Sequence, residues 1–460
     1  MQPSIAKAIE EASELLGDRL STGSSILQIH SHDEAHSTPC LPDAVAFPES
    51  TNEVAELLKI CRRHKCPVVP YGIGTSLEGH VIPIHGGITV DTSKMNNVLE
   101  INENDFDAVV EPGVTRTQLN HDLRATGLMF TVDPGADATI GGMAATRASG
   151  TNTVRYGTMR ENVLALEIVL PDGQIIHTGS RARKSSSGYD LTRLFVGSEG
   201  TLGIITKVTV RLFGQPDTIS AATCTYDTIG DAVDTVIMAS QMGIPMARIE
   251  LLDEMQMRGM NIYNTDMSFP EKPHLFLEFH GTEAGVAEQV ELFRTASEEF
   301  GASNFQWATK TEDRNRLWQA RHNAYYAGKA LRPGALSLVT DCCVPISTLA
   351  DCIARAKELI AESGLIAPVV GHVGDGNFHL LILFDPDSSA EADAAKSLGA
   401  SVSELALEFG GTVTGEHGVG TGKKEYMLAE HGAAYLLMAT LKKSIDPDNI
   451  MNPGKIVDVN

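Results

Sequence analysis

Apolar and polar residues alternate in the first half of the chain in a way that predicts helices and short strands in turn. Residues Ile5 to Leu20 have the apolar spacing of an amphipathic helix. A second helix is predicted after Ser50, because Ser50 and Glu53 form a capping box and apolar positions then recur as far as Cys61. Strands are predicted at residues 45–47, 67–70, 88–91, 108–111, 164–170, 174–177 and 204–212.

The pattern changes at residues 213–216, where we predict a domain boundary. Beyond this point helices alternate with longer strands, which is typical of an α+β sheet domain. These strands are predicted at residues 275–279, 336–340, 369–372, 378–384 and 412–414. The chain ends with a helix that stops near Ile445 and an extended tail.

Charge and composition narrow the class of protein. The chain has 460 residues and a formal net charge of −23, which argues against nucleic acid as a partner because phosphate binding needs a basic face. No apolar run approaches the ~20 residues that span a bilayer. The first residues, from Met1, lack the segments of a signal peptide, and the cysteines lack CxxC spacing, as expected for free thiols. We therefore expect a cytoplasmic protein; peripheral attachment to the inner membrane face and a homodimer are left open.

A glycine-rich loop follows the predicted strand at residues 67–70. Its glycines let backbone N–H groups converge on an anion, and a pyrophosphate is the natural ligand. The loop is not a Rossmann fingerprint, because it lacks GxGxxG spacing and its helix precedes it. Taken alone, an ordinary turn explains it better. The loop consists of Pro70, Tyr71, Gly72, Ile73, Gly74, Thr75 and Ser76.

Two further segments of the first half have the composition of a cofactor site. Residues 133–157 are expected to form a long loop, whose small residues allow a flat ring to lie close to the backbone. An ordinary surface loop is the alternative, which the near absence of lysine and glutamate makes less convincing. Residues 199–205 are a glycine turn that opens an apolar strand. Each segment is ambiguous alone, but three in one domain favour a cofactor site.

Two histidines of the second half are predicted to belong to a metal site. His372 and His379 flank a turn at residues 374–377 between two strands, so the turn brings them close together. Glu416 follows the predicted strand at 412–414. Two imidazoles and one carboxylate make a ligand set with open positions, as in catalytic divalent metal sites. The alternative is that each histidine only satisfies a hydrogen bond in the core.

An arginine on a predicted helix is the candidate anchor for an anionic substrate. Arg321 and Tyr325 are expected on one face of a single helix, because residues four apart share a face. The planar fork of arginine suits a carboxylate. Judged from the residues alone, a surface salt bridge is the commoner role for such an arginine.

These motifs resemble those of the FAD-linked oxidases in the superfamily of vanillyl-alcohol oxidase and p-cresol methylhydroxylase (PCMH). Within that superfamily, the chain is most similar to the cytochrome-type D-lactate dehydrogenases. The resemblance extends from Asp43 to Ile456 and is carried by residues 110–116, 133–157, 197–203, 320–324, 371–379, 414–418 and 451–455.

The resemblance implies an α+β fold, with a PCMH-type FAD-binding domain of two subdomains and an α+β FAD-linked oxidase C-terminal domain for the substrate. Its implied ranges are an N-terminal helical segment (1–37), the FAD domain (38–215), the substrate domain with the metal site (216–440) and a C-terminal segment returning to the FAD domain (441–460). FAD is expected to be non-covalent, because His80 lies at the wrong offset for covalent attachment. The implied FAD-binding residues are Pro70, Tyr71, Gly72, Ile73, Gly74, Thr75, Ser76, Asp133, Pro134, Gly135, Ala136, Thr139, Gly142, Thr146, Arg147, Ala148, Ser149, Glu199, Gly200, Thr201, Leu202, Gly203, Ile204 and Ile205.

The resemblance also implies roles for polar residues of the second half. The divalent metal, either zinc, manganese or iron, would be held by His372, His379 and Glu416. His417 is the implied proton acceptor, and Arg321 the implied grip on the substrate carboxylate, with Tyr325 and Asn377 as further substrate-binding candidates.

The expected activity is oxidation of a small D-2-hydroxy acid, D-lactate first, to the 2-oxo acid, with hydride transfer to flavin N5. A monocarboxylate is favoured because the strand at residues 336–340 carries no cation for a second carboxylate and Leu381 is apolar. The alternatives are a glycolate oxidase catalytic subunit, a D-2-hydroxyglutarate dehydrogenase, a non-catalytic flavin-binding subunit of a redox complex and a metal hydrolase without flavin. The electron acceptor is left open between a cytochrome, a quinone and an electron-transfer flavoprotein.

Overall fold

The computed structural model describes residues 2–34, 38–264 and 267–459. Contacts divide the chain into two compact units: unit 1 comprises Met1–Ser149, Gly157–Gln215 and Glu416–Asn460, and unit 2 comprises Gly150–Tyr156 and Pro216–Gly415. Met1 and the predicted boundary after residue 37 lie outside the described residues. Among the helices that are described, none has the length and apolar character needed to cross a membrane.

The helices are α1 Pro3–Leu16, α2 Ser24–Ile29, α3 Thr51–His64, α4 Arg116–Leu123, α5 Ile140–Thr146, α6 Thr153–Tyr156, α7 Met159–Asn162, α8 Leu191–Phe195, α9 Ile229–Gln241, α10 Glu254–Tyr263, α11 Glu283–Glu299, α12 Thr311–His322, α13 Ala324–Ala330, α14 Ile346–Ser363, α15 Ser389–Glu408, α16 Met427–His431 and α17 Ala433–Ile445. The strands are β1 Leu20–Ser21, β2 Ala44–Ala46, β3 Val68–Tyr71, β4 Ile88–Asp91, β5 Val98–Asn102, β6 Asp107–Val110, β7 Leu128–Met129, β8 Val163–Val169, β9 Ile175–His177, β10 Ile204–Arg211, β11 Phe213–Gly214, β12 Thr218–Thr225, β13 Met246–Leu252, β14 His274–Gly281, β15 Ser303–Ala308, β16 Leu336–Val339, β17 Cys342–Cys343, β18 Val369–His372 and β19 Asn377–Phe384.

Unit 1 is built on two principal sheets. The first has the strand order β1-β2-β4-β3, and its pairs β2–β4 and β3–β4 are parallel. Helix α3 begins after Ser50 as predicted, because the side chain of Ser50 accepts a hydrogen bond from the backbone N–H of Glu53. The Glu53 carboxylate accepts from the backbone N–H of Glu49 and from Arg19 instead of completing the predicted capping box. Its apolar face, including Leu57 and Leu58, is buried with the apolar residues of this sheet. The second sheet has the order β5-β6-β10-β8-β9 and is antiparallel.

Unit 2 is built on one antiparallel sheet with the order β15-β12-β14-β13-β18-β19-β16, and β17 also pairs with β19. Side chains alternate between its two faces. One face is apolar: Ile249 and Leu251 of β13 join a core that also takes residues from α9, α11, α14 and α15. Arg248 and Glu250, the alternate residues of the same strand, therefore lie on the opposite face. That second face carries the polar residues of the candidate site.

Two predicted elements differ in length from those observed. The helix predicted to reach Leu20 ends at Leu16, because Gly17 follows with a φ of +56° that an α-helix does not permit. The long loop predicted at residues 133–157 contains the helix α5, whose N-terminus is capped by Thr139. This helix escaped prediction because its run of glycine and alanine has no amphipathic spacing.

Two predictions near the candidate site were wrong in detail. Arg321 and Tyr325 do not share one helix, because α12 ends at His322 and α13 begins at Ala324. Residues 412–414 form no continuous strand but two isolated bridges, one parallel and one antiparallel, to Asp341 and Cys343. Bridges of opposite sense cannot extend into one ladder, because the two hydrogen-bond patterns are different.

Candidate active site

A buried carboxylate connects two of the predicted site residues within unit 2. Glu250 is fully buried, and its Oε1 accepts a hydrogen bond from His372 Nδ1 at 2.7 Å. Its Oε2 accepts one from Arg321 Nη2 at 2.5 Å. Burial alone would raise the pKa of Glu250, but the interactions with His372 and Arg321 outweigh it and lower this pKa. Glu250 was not predicted as a site residue, although a charged residue that alternates with apolar residues in a strand was a visible signal.

The two predicted histidine ligands are oriented by their Nδ1 atoms. His379 Nδ1 donates to the carbonyl oxygen of Thr340 at 2.9 Å, and His372 Nδ1 donates to Glu250. A neutral imidazole that donates from Nδ1 carries its lone pair on Nε2, which is the arrangement usual for metal-binding histidines. The two ring centroids lie 5.5 Å apart, and the rings are nearly perpendicular. The predicted turn at residues 374–377 thus brings both rings together.

A second buried carboxylate, Asp341, lies next to His379. Its Oδ1 is 3.7 Å from His379 Nδ1 and accepts a hydrogen bond from Asn377 Nδ2 at 2.9 Å. Its Oδ2 accepts one from Thr414 Oγ1 at 2.9 Å. Imidazole and carboxylate donors of this kind fit a divalent cation such as zinc, manganese or iron. Asp341 was also missed, although an acid directly after an apolar strand was a visible signal.

The predicted substrate-binding residues divide into two groups. Arg321 and Asn377 lie near the carboxylates described above, and within the described part of the chain Arg321 Nε and Asn377 Oδ1 are buried atoms without a hydrogen-bond partner. Such atoms are rare in folded proteins, and a ligand can satisfy them. Tyr325 is 43% exposed, and its hydroxyl pairs with Ser337 Oγ at 3.0 Å instead.

The chain leaves unit 2 directly after this polar cluster. The backbone N–H of Gly415 donates to the carbonyl oxygen of Asp341 at 3.0 Å, and a Cβ on Gly415 would lie 2.1 Å from Asn377 Nδ2. Glycine is therefore needed here for close approach. The next two residues, Glu416 and His417, belong to unit 1.

In unit 1, a predicted metal ligand and a predicted flavin ligand contact each other. Ser149 Oγ donates to Glu416 Oε2 at 2.8 Å. His417 Nδ1 lies 3.9 Å from Glu78 Oε1, so this imidazole has a carboxylate as a neighbour. The roles assigned to these side chains from sequence stay predictions.

The predicted FAD-binding segments meet one another in unit 1. A Cβ on Gly72 would lie 2.6 Å from Thr139 Oγ1, and a Cβ on Gly200 would lie 2.6 Å from the ring of Pro70. Gly200 also has a φ of +70°, which favours glycine. The backbone N–H of Glu199 donates to the carbonyl oxygen of Ala145 at 2.8 Å. Loops without side chains at these points leave room for the backbone N–H groups that an FAD pyrophosphate needs.

The remaining predicted cofactor residues are distributed along the same segments. Asp133, Pro134, Gly135 and Ala136 precede Thr139, Gly142 and Thr146 of the α5 region, followed by Arg147, Ala148 and Ser149, while Thr201, Leu202 and Gly203 lead into Ile204 and Ile205 of β10.

The carboxylate of Glu199 is used by the protein itself. It accepts hydrogen bonds from the backbone N–H groups of Val419 at 2.7 Å and Gly420 at 2.8 Å, and it lies 3.3 Å from His80 Nε2. Burial works against both charges, yet the attraction between them raises the pKa of His80 and lowers the pKa of Glu199. Glu199 therefore holds the segment that follows His417.

Two protein-family models match separate parts of the chain. The family model for the C-terminal domain of FAD linked oxidases matches residues 215–456, and an FAD binding domain model matches residues 42–179.

Curated relatives align along nearly its full length. The "Probable D-lactate dehydrogenase, mitochondrial" of Danio rerio is 47% identical over 99% of this chain and 92% of the relative. The "D-lactate dehydrogenase [cytochrome], mitochondrial" of Arabidopsis thaliana is 44% identical over 98% of this chain and 80% of the relative. A Saccharomyces cerevisiae protein, "D-lactate dehydrogenase [cytochrome] 1, mitochondrial", is 41% identical over 98% of this chain and 80% of the relative.

Solved structures show the same fold at low sequence identity. p-Cresol methylhydroxylase aligns with a TM-score of 0.78 at 18% identity, covering 100% of this chain and 98% of that one. The 4-ethylphenol oxidase of Gulosibacter chungangensis aligns with a TM-score of 0.77 at 19% identity, covering 99% and 98%. The predicted fold class, which includes an FAD-binding domain, is confirmed, and the chain belongs to the FAD-linked oxidases.

Proposed function

We propose that this FAD-linked oxidoreductase oxidises a D-2-hydroxy acid, D-lactate first, to the corresponding 2-oxo acid. The substrate class is supported by the three relatives named as D-lactate dehydrogenases, which are 41–47% identical over 98–99% of this chain. The structural observation that carries the proposal is the group in which the buried Glu250 joins the partly buried side chains of Arg321 and His372.

Arg321 is suited to the substrate carboxylate. One of its nitrogens is held by Glu250, while Nε is buried without a partner among the described residues. A guanidinium that is fixed at one edge and has donors remaining presents a planar, charged hydrogen-bonding surface to a carboxylate. Its grip would fix the orientation of the 2-carbon.

The surroundings favour a substrate with a single carboxylate. Leu381 is 4% exposed and packs in an apolar cluster with Ala335 and Leu383. The adjacent strand β16 has the sequence Leu-Ser-Leu-Val and carries no cation. A second carboxylate buried there would lose its hydration without gaining a compensating charge. Burial of an unpaired ion costs on the order of several kcal/mol.

Polar residues would activate the hydroxyl group. A divalent cation would be held by His372, His379 and Glu416, and Asp341 would add a further carboxylate. Such a cation lowers the pKa of a bound hydroxyl group. His417 would accept the hydroxyl proton as general base. FAD, held by the segments at residues 70–76, 133–149 and 199–205, would supply the redox chemistry as the acceptor of the hydride.

The proposed electron acceptor is a cytochrome, because two of the relatives carry that word in their names. Assays of the reduced protein with a cytochrome c, a quinone analogue and an electron-transfer flavoprotein distinguish the alternatives. Faster reoxidation by either of the last two would contradict the cytochrome assignment.

A substrate panel tests the activity. The purified holoprotein is mixed anaerobically with D-lactate, L-lactate, glycolate and D-2-hydroxyglutarate, and loss of flavin absorbance is followed with and without a chelator. We expect D-lactate to reduce the flavin fastest and the chelator to slow it. If none of the four acids reduces the flavin, the proposal is rejected.

Glycolate is the second candidate substrate. The "Glycolate oxidase subunit GlcD" of Bacillus subtilis is 35% identical over 93% of this chain and 92% of the relative. Glycolate lacks only the methyl group of lactate, a difference that a pocket can discriminate by about 10- to 200-fold. A higher kcat/KM for glycolate than for D-lactate would favour this alternative.

A further inference from the structure

We propose that Glu250 is a positioning residue that orients both Arg321 and His372 for catalysis. It rests on the proposed function, in which Arg321 binds the substrate carboxylate and His372 binds the metal. No role in the reaction follows for Glu250 from the sequence motifs, because it lies in β13, far from each of them along the chain.

The geometry gives each oxygen of Glu250 one partner. Oε1 accepts from His372 Nδ1, and Oε2 accepts from Arg321 Nη2. The carboxylate is rigid and planar, so the distance between its oxygens fixes the spacing between the imidazole and the guanidinium. A shift of either group would break a charge-assisted hydrogen bond.

The backbone holds this carboxylate in place. In the register of the sheet, Leu251 of β13 pairs with Gly371 of β18, so Glu250 and His372 are neighbours on the same face. The residues on either side of Glu250, Ile249 and Leu251, are anchored in the apolar core of the opposite face. Glu250 therefore has little freedom to move, and it transmits this rigidity to both partners.

The hydrogen bond to His372 has a chemical consequence. A carboxylate can only accept, so His372 donates from Nδ1 and keeps its lone pair on Nε2. Outer partners of this type set the tautomer and ring direction of metal-binding histidines. Glu250 is thus expected to influence metal affinity and substrate affinity together.

Glu278 on the neighbouring strand β14 provides a matched control. It is also buried, and it likewise lies against a histidine and an arginine: its Oε1 is 2.8 Å from His280 Nε2 and 3.5 Å from Arg248 Nε. Unlike the partners of Glu250, the histidine and the arginine next to Glu278 make their remaining contacts with other side chains of the protein. His280 Nδ1 pairs with the hydroxyl of Tyr156 at 2.8 Å, and the Arg248 guanidinium lies over the ring of Trp318. By contrast, Arg321 Nε has no partner among the described residues.

The test compares the FAD-loaded variants Glu250→Gln and Glu278→Gln with the wild type. Glutamine has one acceptor oxygen, so its amide N–H group would face either the His372 or the Arg321 donor. The first readout is the amount of zinc retained after dialysis against a chelator. The second is the affinity for oxalate, measured by the change in flavin absorbance. Oxalate has no C–H bond to oxidise, and its second carboxylate would take the place of the substrate hydroxyl group rather than that of a distal carboxylate.

We expect Glu250→Gln to weaken zinc retention by about 10- to 100-fold, as is typical for loss of an outer partner of a metal ligand. Oxalate affinity should fall as well, and Glu278→Gln should match the wild type in both readouts. Wild-type zinc retention and oxalate affinity in Glu250→Gln, or equal losses in Glu278→Gln, would overturn the proposal.

A double variant tests the connection to Arg321. If Glu250 acts on the substrate carboxylate through Arg321, then with the metal site kept saturated with zinc the double variant Glu250→Gln/Arg321→Gln should bind oxalate no more weakly than Arg321→Gln alone. Multiplied losses would show that Glu250 does not act through this arginine. If Glu250→Gln fails to fold with FAD, Glu250→Asp replaces it, because this variant keeps the charge but withdraws both oxygens. The same readouts and outcomes then apply.

These measurements remain interpretable if the proposed function fails. Zinc retention and oxalate binding do not require turnover, so they test Glu250 directly. Absence of flavin reduction in the wild type with every 2-hydroxy acid would instead reject the substrate assignment.

Discussion

The two compact units form their candidate sites from different chemical groups: backbone groups in unit 1 and side chains in unit 2. In unit 1 the predicted FAD segments meet through backbone and glycines, such as Gly72 against Thr139 and Gly200 against Pro70. In unit 2 the site consists of side chains on one face of a sheet, with Glu250 and Asp341 as buried acceptors. A diphosphate is satisfied by backbone N–H groups, whereas metal binding and proton transfer need imidazoles and carboxylates.

This difference predicts different sensitivities to mutation. Unit 1 should be most sensitive to added Cβ atoms, which close the space that glycines keep open. Unit 2 should be most sensitive to substitutions that keep the size of a side chain but change its hydrogen bonding.

His417→Ala tests a residue of unit 1 whose proposed role depends on its side chain rather than on its backbone. Loss of the proposed general base should slow flavin reduction by D-lactate by about 10²- to 10⁴-fold. The rate is measured by anaerobic rapid mixing, with His431→Ala of the same unit as the control. A rate within a few-fold of wild type, in the same comparison, would show that His417 is not the base.

Arg321→Gln tests the side-chain-based site of unit 2. Removal of the guanidinium charge should raise the Kd for D-lactate by about 100-fold, which is a loss of close to 3 kcal/mol of binding free energy. The reason is that the substrate carboxylate would lose its cationic partner. Arg321→Lys should restore little, since lysine lacks the planar fork. The Kd follows from the dependence of flavin reduction on D-lactate concentration. Full recovery in Arg321→Lys would indicate that charge alone matters.

His274→Phe tests whether buried side chains make unit 2 sensitive to acid. Burial lowers the pKa of His274 from its usual 6.5 to about 4, although its Nδ1 donates to the carbonyl oxygen of Lys272. The unfolded chain takes up this proton near pH 6.5 and the folded chain only near pH 4, so this group's contribution to stability is lost as pH falls between these values. The variant should remove up to about 3 kcal/mol of that loss.

The measurement is the free energy of unfolding by urea at several pH values from neutral to acidic. The phenylalanine is chosen because His274 lies beside the rings of Phe269 and Phe276, so an apolar ring fits its surroundings. An unchanged pH dependence in the variant would mean that another group is responsible.

Gly200→Ala tests the backbone-based site of unit 1. Alanine would have to adopt a φ of +70° and would place its Cβ 2.6 Å from Pro70, so we expect a loss of stability. The cost of such a conformation is about 1–3 kcal/mol, and FAD retention should fall with it. Gly214→Ala is the control, because nothing lies within 4 Å of its added Cβ. Unfolding by urea and the flavin-to-protein absorbance ratio measure the two effects; equal behaviour of both variants would contradict the role of the glycine.

Local sequence patterns were sufficient for much of the fold. Ser50 caps its helix as predicted, and the strands β4 and β18 have the predicted bounds. These elements follow from interactions between residues close in sequence. The break at Asn323 between α12 and α13 was not predicted, because the flanking residues are compatible with one continuous helix.

The sequence by itself determined the family-specific motifs, the glycine segments and the candidate residues Arg321, His372 and His379, because each lies within a recognisable local pattern. Only the tertiary structure showed that Glu250 connects Arg321 with His372 and that Asp341 holds Asn377. These partners are separated by 71, 122 and 36 residues along the chain. Their proximity depends on the order and register of strands in a sheet, and no local pattern of apolar and polar residues encodes which distant strands pair.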